Sequence, residues 1–309
     1  MGAWRIIIIK NKIHVAIFSN NYGRLFSVLS VLDTLFRDNI LITIYTTDEK
    51  YKNFSYQLKE GKWPIDLKVY SNTPIFLSEY QSCDYALGIV AGFNKVLPES
   101  LIVKNVLGII NLHAGRLPQY RGGSPLNWQI INGESSIGVT IHQIDSGIDT
   151  GPILASGSFS LEFDEGIKEA HQKANLLFLS LLKEVLPVLL VDGRDILKLE
   201  QNENDACYWH QRTPSDGKIS WDTMSANEVF NLVRGLGGGL YDPAYCESIN
   251  GTVKIMKVLV PDLRIKGTPG RVLYLNKIGP YVICKDEAIL LQEYSTENNF
   301  ALTSKLSLF

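Results

Sequence analysis

The sequence is poor in cysteine and has no cysteine pair at metal-binding or redox spacing. Its 309 residues include four cysteines, at the scattered positions Cys83, Cys207, Cys246 and Cys284. Zinc ligands normally come in pairs two to four residues apart, and disulfide frameworks belong to small secreted chains. We therefore expect free thiols in a reducing compartment, no metal cofactor and a cytoplasmic protein.

Long apolar runs and an excess of one charge are also missing. The mostly apolar run Trp4–Ile9 contains Arg5 and is followed by Lys10 and Lys12, and it is far shorter than the ~20 residues of a membrane span. Lys and Arg number 30 against 32 Asp and Glu, so the chain has no overall field that attracts nucleic acid or an anionic membrane. We expect residues 1–12 to be an extra N-terminal arm, and we expect no membrane partner.

Three common cofactor and metal motifs do not occur. The turn after the first predicted strand is Asn20-Asn21-Tyr22-Gly23, whereas dinucleotide-binding proteins carry G-x-G-x-x-G there. Neither G-x-x-x-x-G-K-[ST] nor H-E-x-x-H is found. These absences disfavour an NAD-dependent, a kinase-like and a zinc-protease activity.

Hydrophobic periodicity predicts an α/β domain followed by a β-rich domain. In residues 1–205, β-branched runs alternate with helical spacing, which indicates a parallel sheet covered by helices on both faces. The predicted strands are 13–19, 40–46, 85–90 and 108–112, and the predicted helices are 24–36, one opened by Pro98, and one capped by Asp164 and ended by Pro187. After the polar linker 201–205, a helix near 226–236 and five short strand-like runs indicate a small β-barrel in residues 206–309. We expect residues 297–309 to be a loosely held tail.

The side chains most suited to catalysis are concentrated in residues 111–155. Asn111 and His113 are two residues apart at the end of a predicted strand, so they face the same side, where α/β sheets bind ligands. Asp145 and Asp149 follow in a Gly-rich loop. An imidazole exchanges a proton near pH 7, a nearby carboxylate raises its basicity, and an amide N–H stabilises an oxyanion. Each residue also fits a structural role, since a strand-end His often packs or caps and an Asp in such a loop often forms a turn.

The same segment resembles the formyltransferase family that includes methionyl-tRNA formyltransferase and the sugar-nucleotide N-formyltransferases. The family's N-x-H, L-P-x-Y-R-G and H-x-[MI]-D-x-G-x-D-T-G correspond to residues 111–113, 117–122 and 142–151. The resemblance runs from about Ile13 into the second domain. It implies a Rossmann-like catalytic domain, a C-terminal domain similar to an open, OB-like β-barrel, and N10-formyltetrahydrofolate as the formyl donor.

The resemblance also implies a role for each matched residue. Asn111, His113 and Asp149 would be the catalytic trio of an acyl transfer that uses no metal. His113, polarised by Asp149, would take the proton of the attacking amine, and Asn111 would stabilise the oxyanion. The folate would bind against Val90, Phe93, Asn94, Leu97, His142, Gln143, Asp145 and Gly147. The acceptor would contact Tyr120, Arg121 and Asn127.

Two further segments favour a nucleotide-linked amino sugar as acceptor, for example a dTDP-amino-deoxysugar used in the O-antigen of lipopolysaccharide. Residues 124–134 resemble the P-L-N-W…N-G-E of the sugar enzymes, and residues 208–221 resemble their Y-x-x-R-x-P-x-D-G-x-I-x-W. The tryptophans in these segments, Trp128 and Trp221, are equally compatible with core positions.

Charge also disfavours tRNA, which normally requires a clear basic face. The loop 46–63 has four Lys against three acids, and residues 206–309 have eleven Lys and Arg against ten Asp and Glu. Methionyl-tRNA, another small amine, water as acceptor, and a non-catalytic folate- or nucleotide-binding module remain alternatives. A homodimer is left open.

Overall fold

The computed structural model describes residues 8–9, 12–46, 58, 65–69, 73–192 and 196–309. Contacts divide the chain into two compact units. The N-terminal unit comprises residues 1–122, 138–159 and 172–208, and the C-terminal unit comprises residues 123–137, 160–171 and 209–309. The single domain boundary predicted at residue 205 stays a prediction.

The strands of the N-terminal unit are β1 (Ile8–Ile9), β2 (Lys12–Phe18), β3 (Ile40–Thr46), β4 (Ile65–Val69), β5 (Leu87–Val90), β6 (Ile109–His113), a separate β7 (Arg121–Gly122), β8 (Ile137–Gln143) and β9 (Ile153–Phe159). Within the described residues, this unit is built on an eight-stranded sheet in the order β4-β3-β2-β5-β6-β8-β9, with β1 pairing with β2. Neighbouring strands from β4 to β6 are parallel, so the α/β fold predicted from the sequence is confirmed.

Helices connect these strands. The chain contains α1 (Tyr22–Phe36), α2 (Thr73–Ser82), α3 (Glu99–Ile102), α4 (Pro125–Ile131) and α5 (Ile167–Pro187). Helix α1 begins where Asn21 accepts the Arg24 N–H at 3.0 Å, which satisfies one of the free donors of a helix start. Pro98 immediately precedes α3, as predicted.

Strand β8 runs antiparallel to β6, which makes the sheet mixed. This register places His142 opposite Asn111 and Thr140 opposite His113. Because opposite residues of paired strands project on the same face, the polar end of β6 meets polar residues of β8. The antiparallel pairing therefore assembles side chains that are about 30 residues apart in sequence.

Helix α5 begins later than the sequence predicts, so the assignment of Asp164 as its N-cap is wrong. The helix starts at Ile167, and the Glu169 carboxylate accepts the Gly166 N–H at 3.0 Å. A Cβ atom on Gly166 would lie 2.7 Å from the Arg234 carbonyl oxygen, so the close approach requires glycine. The α-helix ends at Pro187 as predicted, and residues 188–192 continue it as a π-helical turn.

One described helix, spanning Ile167–Val191, is long and apolar enough to cross a membrane by composition, and 39% of its most apolar window is buried within the protein. The core helix of a soluble protein has the same properties, so the helix alone does not indicate a membrane. Most of the predicted arm 1–12 and of the loop 46–63 lies outside the described residues.

The C-terminal unit packs helices against an antiparallel sheet. Strand β10 (Tyr208–Trp209) is followed by α6 (Ala226–Leu236), β11 (Ala244–Ser248), β12 (Gly251–Leu259), β13 (Val272–Leu275), β14 (Gly279–Ile283) and β15 (Ala288–Thr296). The sheet order is β11-β12-β15-β14-β13. Apolar residues of α6 and of the strands form one buried core, including Val229, Val233, Val253, Ile255 and Ile289. The predicted β-rich second region is thereby confirmed.

The chain end is firmly held, so the expectation of a loose tail is wrong. Phe309 exchanges two backbone hydrogen bonds of 2.8 Å with Glu247 of the edge strand β11. The Val272 N–H of β13 donates to the Leu306 carbonyl at 3.2 Å. Leu302, Leu306 and Leu308 are buried. The tail therefore covers both edges of the sheet and gives it a barrel-like closure, which removes exposed edges.

Candidate active site

His113 lies at the end of β6, and one of its ring nitrogens is already in a hydrogen bond. Its Nε2 lies 2.6 Å from the Tyr120 carbonyl oxygen, and because a carbonyl only accepts, Nε2 carries the proton and donates it. The basic nitrogen is therefore Nδ1, which lies 3.5 Å from Oδ2 of Asp149. The geometry leaves a neutral imidazole with its lone pair beside a carboxylate.

Burial lowers the pKa of His113, and this effect outweighs the negative charge of Asp149, which raises it. The His113 side chain is only 6% exposed, so the charged imidazolium loses most of its hydration. His113 is consequently neutral at pH 7 and able to accept a proton. A proton on Nδ1 would be stabilised at once by the adjacent Asp149.

Asp149 is buried and ionised. Burial alone would raise the pKa of this carboxyl, but the nearby imidazoles of His113 and His142 in their protonated forms, together with the Gly122 N–H, lower it well below its ordinary value. The Gly122 N–H donates to Oδ2 at 2.9 Å. Asp149 also has φ +54°, a left-handed conformation that is unusual outside glycine. This backbone conformation places the Asp149 carboxylate beside His113.

Asn111 links His142 to Asp149 through its amide. The His142 Nδ1 donates to the Gln143 carbonyl at 3.0 Å, so its Nε2 accepts from Asn111 Nδ2 at 3.1 Å. The second Nδ2 hydrogen points to Oδ1 of Asp149 at 3.3 Å. This second bond is long, and hydrogen bonds of this kind often shorten or exchange partners only when the substrate is bound. Asn111 thus has one donor that can turn to a developing oxyanion.

The residues predicted to bind folate lie at the ends of β5 and β8 and in the loops that follow these two strands. Phe93 and Ile144, one from each loop, pack against the same apolar cluster, which also contains Val90 and Leu97. Asn94 accepts a hydrogen bond from Asn20 at 2.5 Å. The two loops therefore offer adjoining apolar side chains and main-chain polar groups.

Asp145 accepts hydrogen bonds from other residues of the loop after β8 and so stabilises its conformation. Its Oδ1 accepts the Gly147 N–H at 3.1 Å and the Thr150 hydroxyl at 2.6 Å. Gln143 donates its N–H to the Pro152 carbonyl at 2.9 Å. These bonds fold residues 143–152 back on themselves, which returns Asp149 to the end of β6.

The three residues predicted to contact the acceptor do not form one group. Tyr120 is buried and presents its carbonyl to His113. Arg121 is fully buried, and its guanidinium binds Glu203. Asn127 lies in the C-terminal unit, where its Nδ2 donates to the Gly235 carbonyl at 2.8 Å. Their predicted contacts with an acceptor stay predictions.

Sequence reasoning missed the residues that hold Asp149 in place. The Gly122 N–H, Gln201 and Glu203 all belong to this arrangement. Gln201 and Glu203 lie in the segment that the sequence analysis treated as a polar linker, and a single sequence gives no signal that pairs them with a loop 50 residues away.

No group of three or more His, Cys, Asp and Glu among the described residues is arranged to hold a metal ion. The four cysteines are free thiols, and burial raises the pKa of both Cys246 and Cys284 to about 12.

Comparisons with known proteins agree with this geometry. Residues 71–184 match the formyl transferase family model, and residues 212–306 match the formyl transferase C-terminal domain. The methionyl-tRNA formyltransferase of Geobacter sulfurreducens is 33% identical over 239 residues, which is 77% of this chain and 73% of that protein.

Solved structures share the fold. The N-formyltransferase of Helicobacter canadensis, in complex with folinic acid and dTDP-3-aminofucose, has a TM-score of 0.67 at 19% identity over 91% of this chain and 99% of its own. A sugar N-formyltransferase from a Shewanella species has a TM-score of 0.64 at 20% identity, over 82% of this chain and 99% of its own.

The resemblance inferred from the three motifs is thereby confirmed across both regions of the sequence. The matched residues 71–184 include Asn111, His113 and Asp149. The chain belongs to the formyl transferase family, and it is an N-formyltransferase.

Proposed function

We propose that this enzyme transfers the formyl group of N10-formyltetrahydrofolate to the primary amine of a nucleotide-linked amino sugar. The observation that carries the chemistry is the buried, neutral His113, whose basic Nδ1 faces the ionised Asp149. A buried base beside a carboxylate is suited to take a proton from an amine as the amine attacks a carbonyl carbon.

In the proposed mechanism the amine nitrogen forms a bond to the formyl carbon while its proton moves to Nδ1 of His113. Asp149 stabilises the resulting imidazolium, and the Tyr120 carbonyl keeps the ring in the required orientation. Asn111 turns one N–H to the formyl oxygen as negative charge develops there. His113 then returns the proton to the departing nitrogen as the old carbon–nitrogen bond breaks, so the enzyme ends in its starting state.

The loops after β5 and β8 fit a folate donor. Phe93 and Ile144 provide apolar contact for a flat ring, while the main-chain groups of both loops provide hydrogen bonds that orient it. The Helicobacter relative binds folinic acid in its solved structure, which supports a folate donor here.

The relatives of this enzyme support two different acceptors, an amino-sugar nucleotide and methionyl-tRNA. The structural relatives include a sugar N-formyltransferase and an N-formyltransferase complexed with a dTDP-amino sugar. The balanced charge of residues 206–309 also favours a small acceptor. Methionyl-tRNA is the second candidate, because the Geobacter relative is a methionyl-tRNA formyltransferase.

The test is an acceptor panel. The enzyme is incubated with formyl-tetrahydrofolate and either amino-sugar nucleotides or charged initiator tRNA, and formyl adducts are detected by mass spectrometry, with Asp149→Asn as the inactive control. We expect adducts on an amino-sugar nucleotide, with a KM that changes little between about 50 and 200 mM salt, whereas many phosphate contacts would weaken tRNA binding by on the order of 10³-fold. Efficient formylation of tRNA with every sugar inert would overturn the sugar assignment.

A further inference from the structure

Both polar atoms of the Gln201 amide are hydrogen-bonded, and they connect the loop that carries Asp149 to Arg121. Its Nε2 donates to the carbonyl oxygens of Asp149 and Gly151, at 2.8 and 2.7 Å. Its Oε1 accepts the Nε–H of Arg121 at 3.0 Å. A primary amide donates two hydrogen bonds and accepts others, whereas a carboxylate of the same shape would place negative charge against two carbonyl oxygens.

All three guanidinium nitrogens of Arg121 donate hydrogen bonds, which fix the side chain. Nη1 donates to Glu203 Oε2 and to the Tyr208 hydroxyl, both at 2.9 Å, and Nη2 donates to Glu203 Oε1 at 2.6 Å. The Arg121 backbone N–H donates to the Cys207 carbonyl at 3.0 Å. Such a bidentate pair fixes orientation as well as position. A side chain held in this way has a fixed Nε–H to offer Gln201.

These contacts reach Asp149 from two sides. Gln201 holds its carbonyl oxygen, and the N–H of Gly122, the residue after Arg121, holds its carboxylate at 2.9 Å. A left-handed conformation is unfavourable for an aspartate and persists only where the surroundings enforce it. Asp149 adopts that conformation with φ +54°.

We infer that Gln201 and Arg121 are positioning residues that hold Asp149 in the left-handed conformation which sets its carboxylate beside His113. The inference rests on the proposed role of Asp149 as the partner of the base. It assigns Arg121 to the architecture of the site, in place of the acceptor contact expected from the sequence.

The inference has an electrostatic consequence at His113. Besides the burial that lowers its pKa, His113 is faced by Asp149, which raises the pKa, and by His142 and Arg24, which lower it. If Asp149 moves away, the raising effect weakens while the two lowering effects stay. The acid limb of the kcat/KM profile, which reports the base of the free enzyme, then moves to lower pH.

The test is Gln201→Met, which keeps the length of the side chain, removes both donors and adds no charge near His113. We expect kcat to fall about 10- to 10²-fold, as for a small misplacement of a catalytic group, with the KM for formyl-tetrahydrofolate unchanged and the acid limb shifted to lower pH. Gln292→Met makes the same chemical change at an exposed position of β15 and should behave as wild type.

A wild-type kcat and an unmoved acid limb in Gln201→Met would overturn the inference. The proposed function fails separately, if Asp149→Asn itself keeps its turnover. Circular dichroism and thermal melting establish that each variant is folded. Should Gln201→Met not fold, Arg121→Lys decides, because it keeps a cation for Glu203 but loses the Nε–H bound by Gln201. The same acid-limb shift supports the inference, and a wild-type profile contradicts it.

Discussion

Two His–Asp pairs in this molecule differ in burial more than in distance. His113 and Asp149 in the N-terminal unit are 3.5 Å apart, with side chains 6% and 14% exposed. His210 and Asp216 in the C-terminal unit are 3.1 Å apart, with side chains 64% and 23% exposed. The closer pair is thus the more exposed one.

The comparison indicates that burial, more than distance, decides how strongly the two side chains of such a pair affect each other. Water screens the exposed pair, and such surface pairs are worth ~0–1 kcal/mol. The pKa of Asp216 is lowered chiefly by the Thr213 N–H, which belongs to the capping of a short 3₁₀ turn. At the buried pair, the imidazole of His113 in its protonated form has the largest effect that lowers the pKa of Asp149, acting against burial.

The largest expected effect is on catalysis at the buried pair. We expect His113→Ala and Asp149→Asn each to lower kcat by ~10²–10⁴-fold, the usual contribution of a general base, while calorimetry still detects binding of the formyl donor. His210→Ala is the matched control and should keep wild-type kcat. Wild-type turnover in either buried variant would remove the distinction between the two pairs.

Asn111→Ala should have the next largest effect. The amide that can turn to the developing oxyanion is lost, and removal of one such donor costs on the order of 10²-fold in kcat. Steady-state kinetics at saturating donor measures the effect. A change confined to KM would show that Asn111 contributes to binding and not to the charge that develops during reaction.

A smaller effect is expected on the pH dependence of the free energy of unfolding. Burial holds the pKa of His113 below its ordinary value, so on acidification the unfolded chain binds this proton first, near pH 6.5. Stability present above that pH is lost as the pH falls toward the folded pKa, with a slope of up to about 1.4 kcal/mol per pH unit for one proton.

His113→Gln should therefore flatten the stability profile below about pH 6.5. Urea unfolding followed by circular dichroism at several pH values gives the profiles of the variant and the wild type. Identical slopes for His113→Gln and the wild type would mean that the buried imidazole does not titrate as described.

The smallest effect is predicted for the exposed pair itself. His210→Ala should change the free energy of unfolding by less than about 1 kcal/mol, because a surface ion pair contributes little. Thermal melting at low and high salt measures this contribution. A loss of several kcal/mol would show that the exposed pair is coupled to more of the structure than its turn.

Local patterns in the sequence predicted much of the fold. Strand β2 is an apolar β-branched run and α1 has clear helical spacing, so each element carries its own signal. The Asp164 cap was wrong because Glu169 caps the helix start from inside the helix. The held tail was missed because Leu306 and Phe309 pair with residues that are far away in sequence, and one sequence does not reveal such partners.

In the active site, the two-residue spacing placed Asn111 and His113 on one face, and the family motif added Asp149. The sequence did not reveal which ring nitrogen of His113 is basic, since that depends on the Tyr120 carbonyl. Nor did it reveal that Arg121 and Gln201 support Asp149, because their contacts span 50 to 82 residues. Long-range polar contacts are thus the part that a single sequence conceals.

The central claim is that His113 is the base and that Asp149 acts on it electrostatically. The most direct measurement is the pH dependence of kcat/KM for the wild type and for Asp149→Asn, with saturating acceptor. The account predicts a wild-type acid limb below the ordinary histidine pKa of about 6.5, because burial lowers the pKa of His113. It predicts that the limb of Asp149→Asn lies at still lower pH, because Asp149 raises that pKa. An acid limb at the same pH in both enzymes would contradict it.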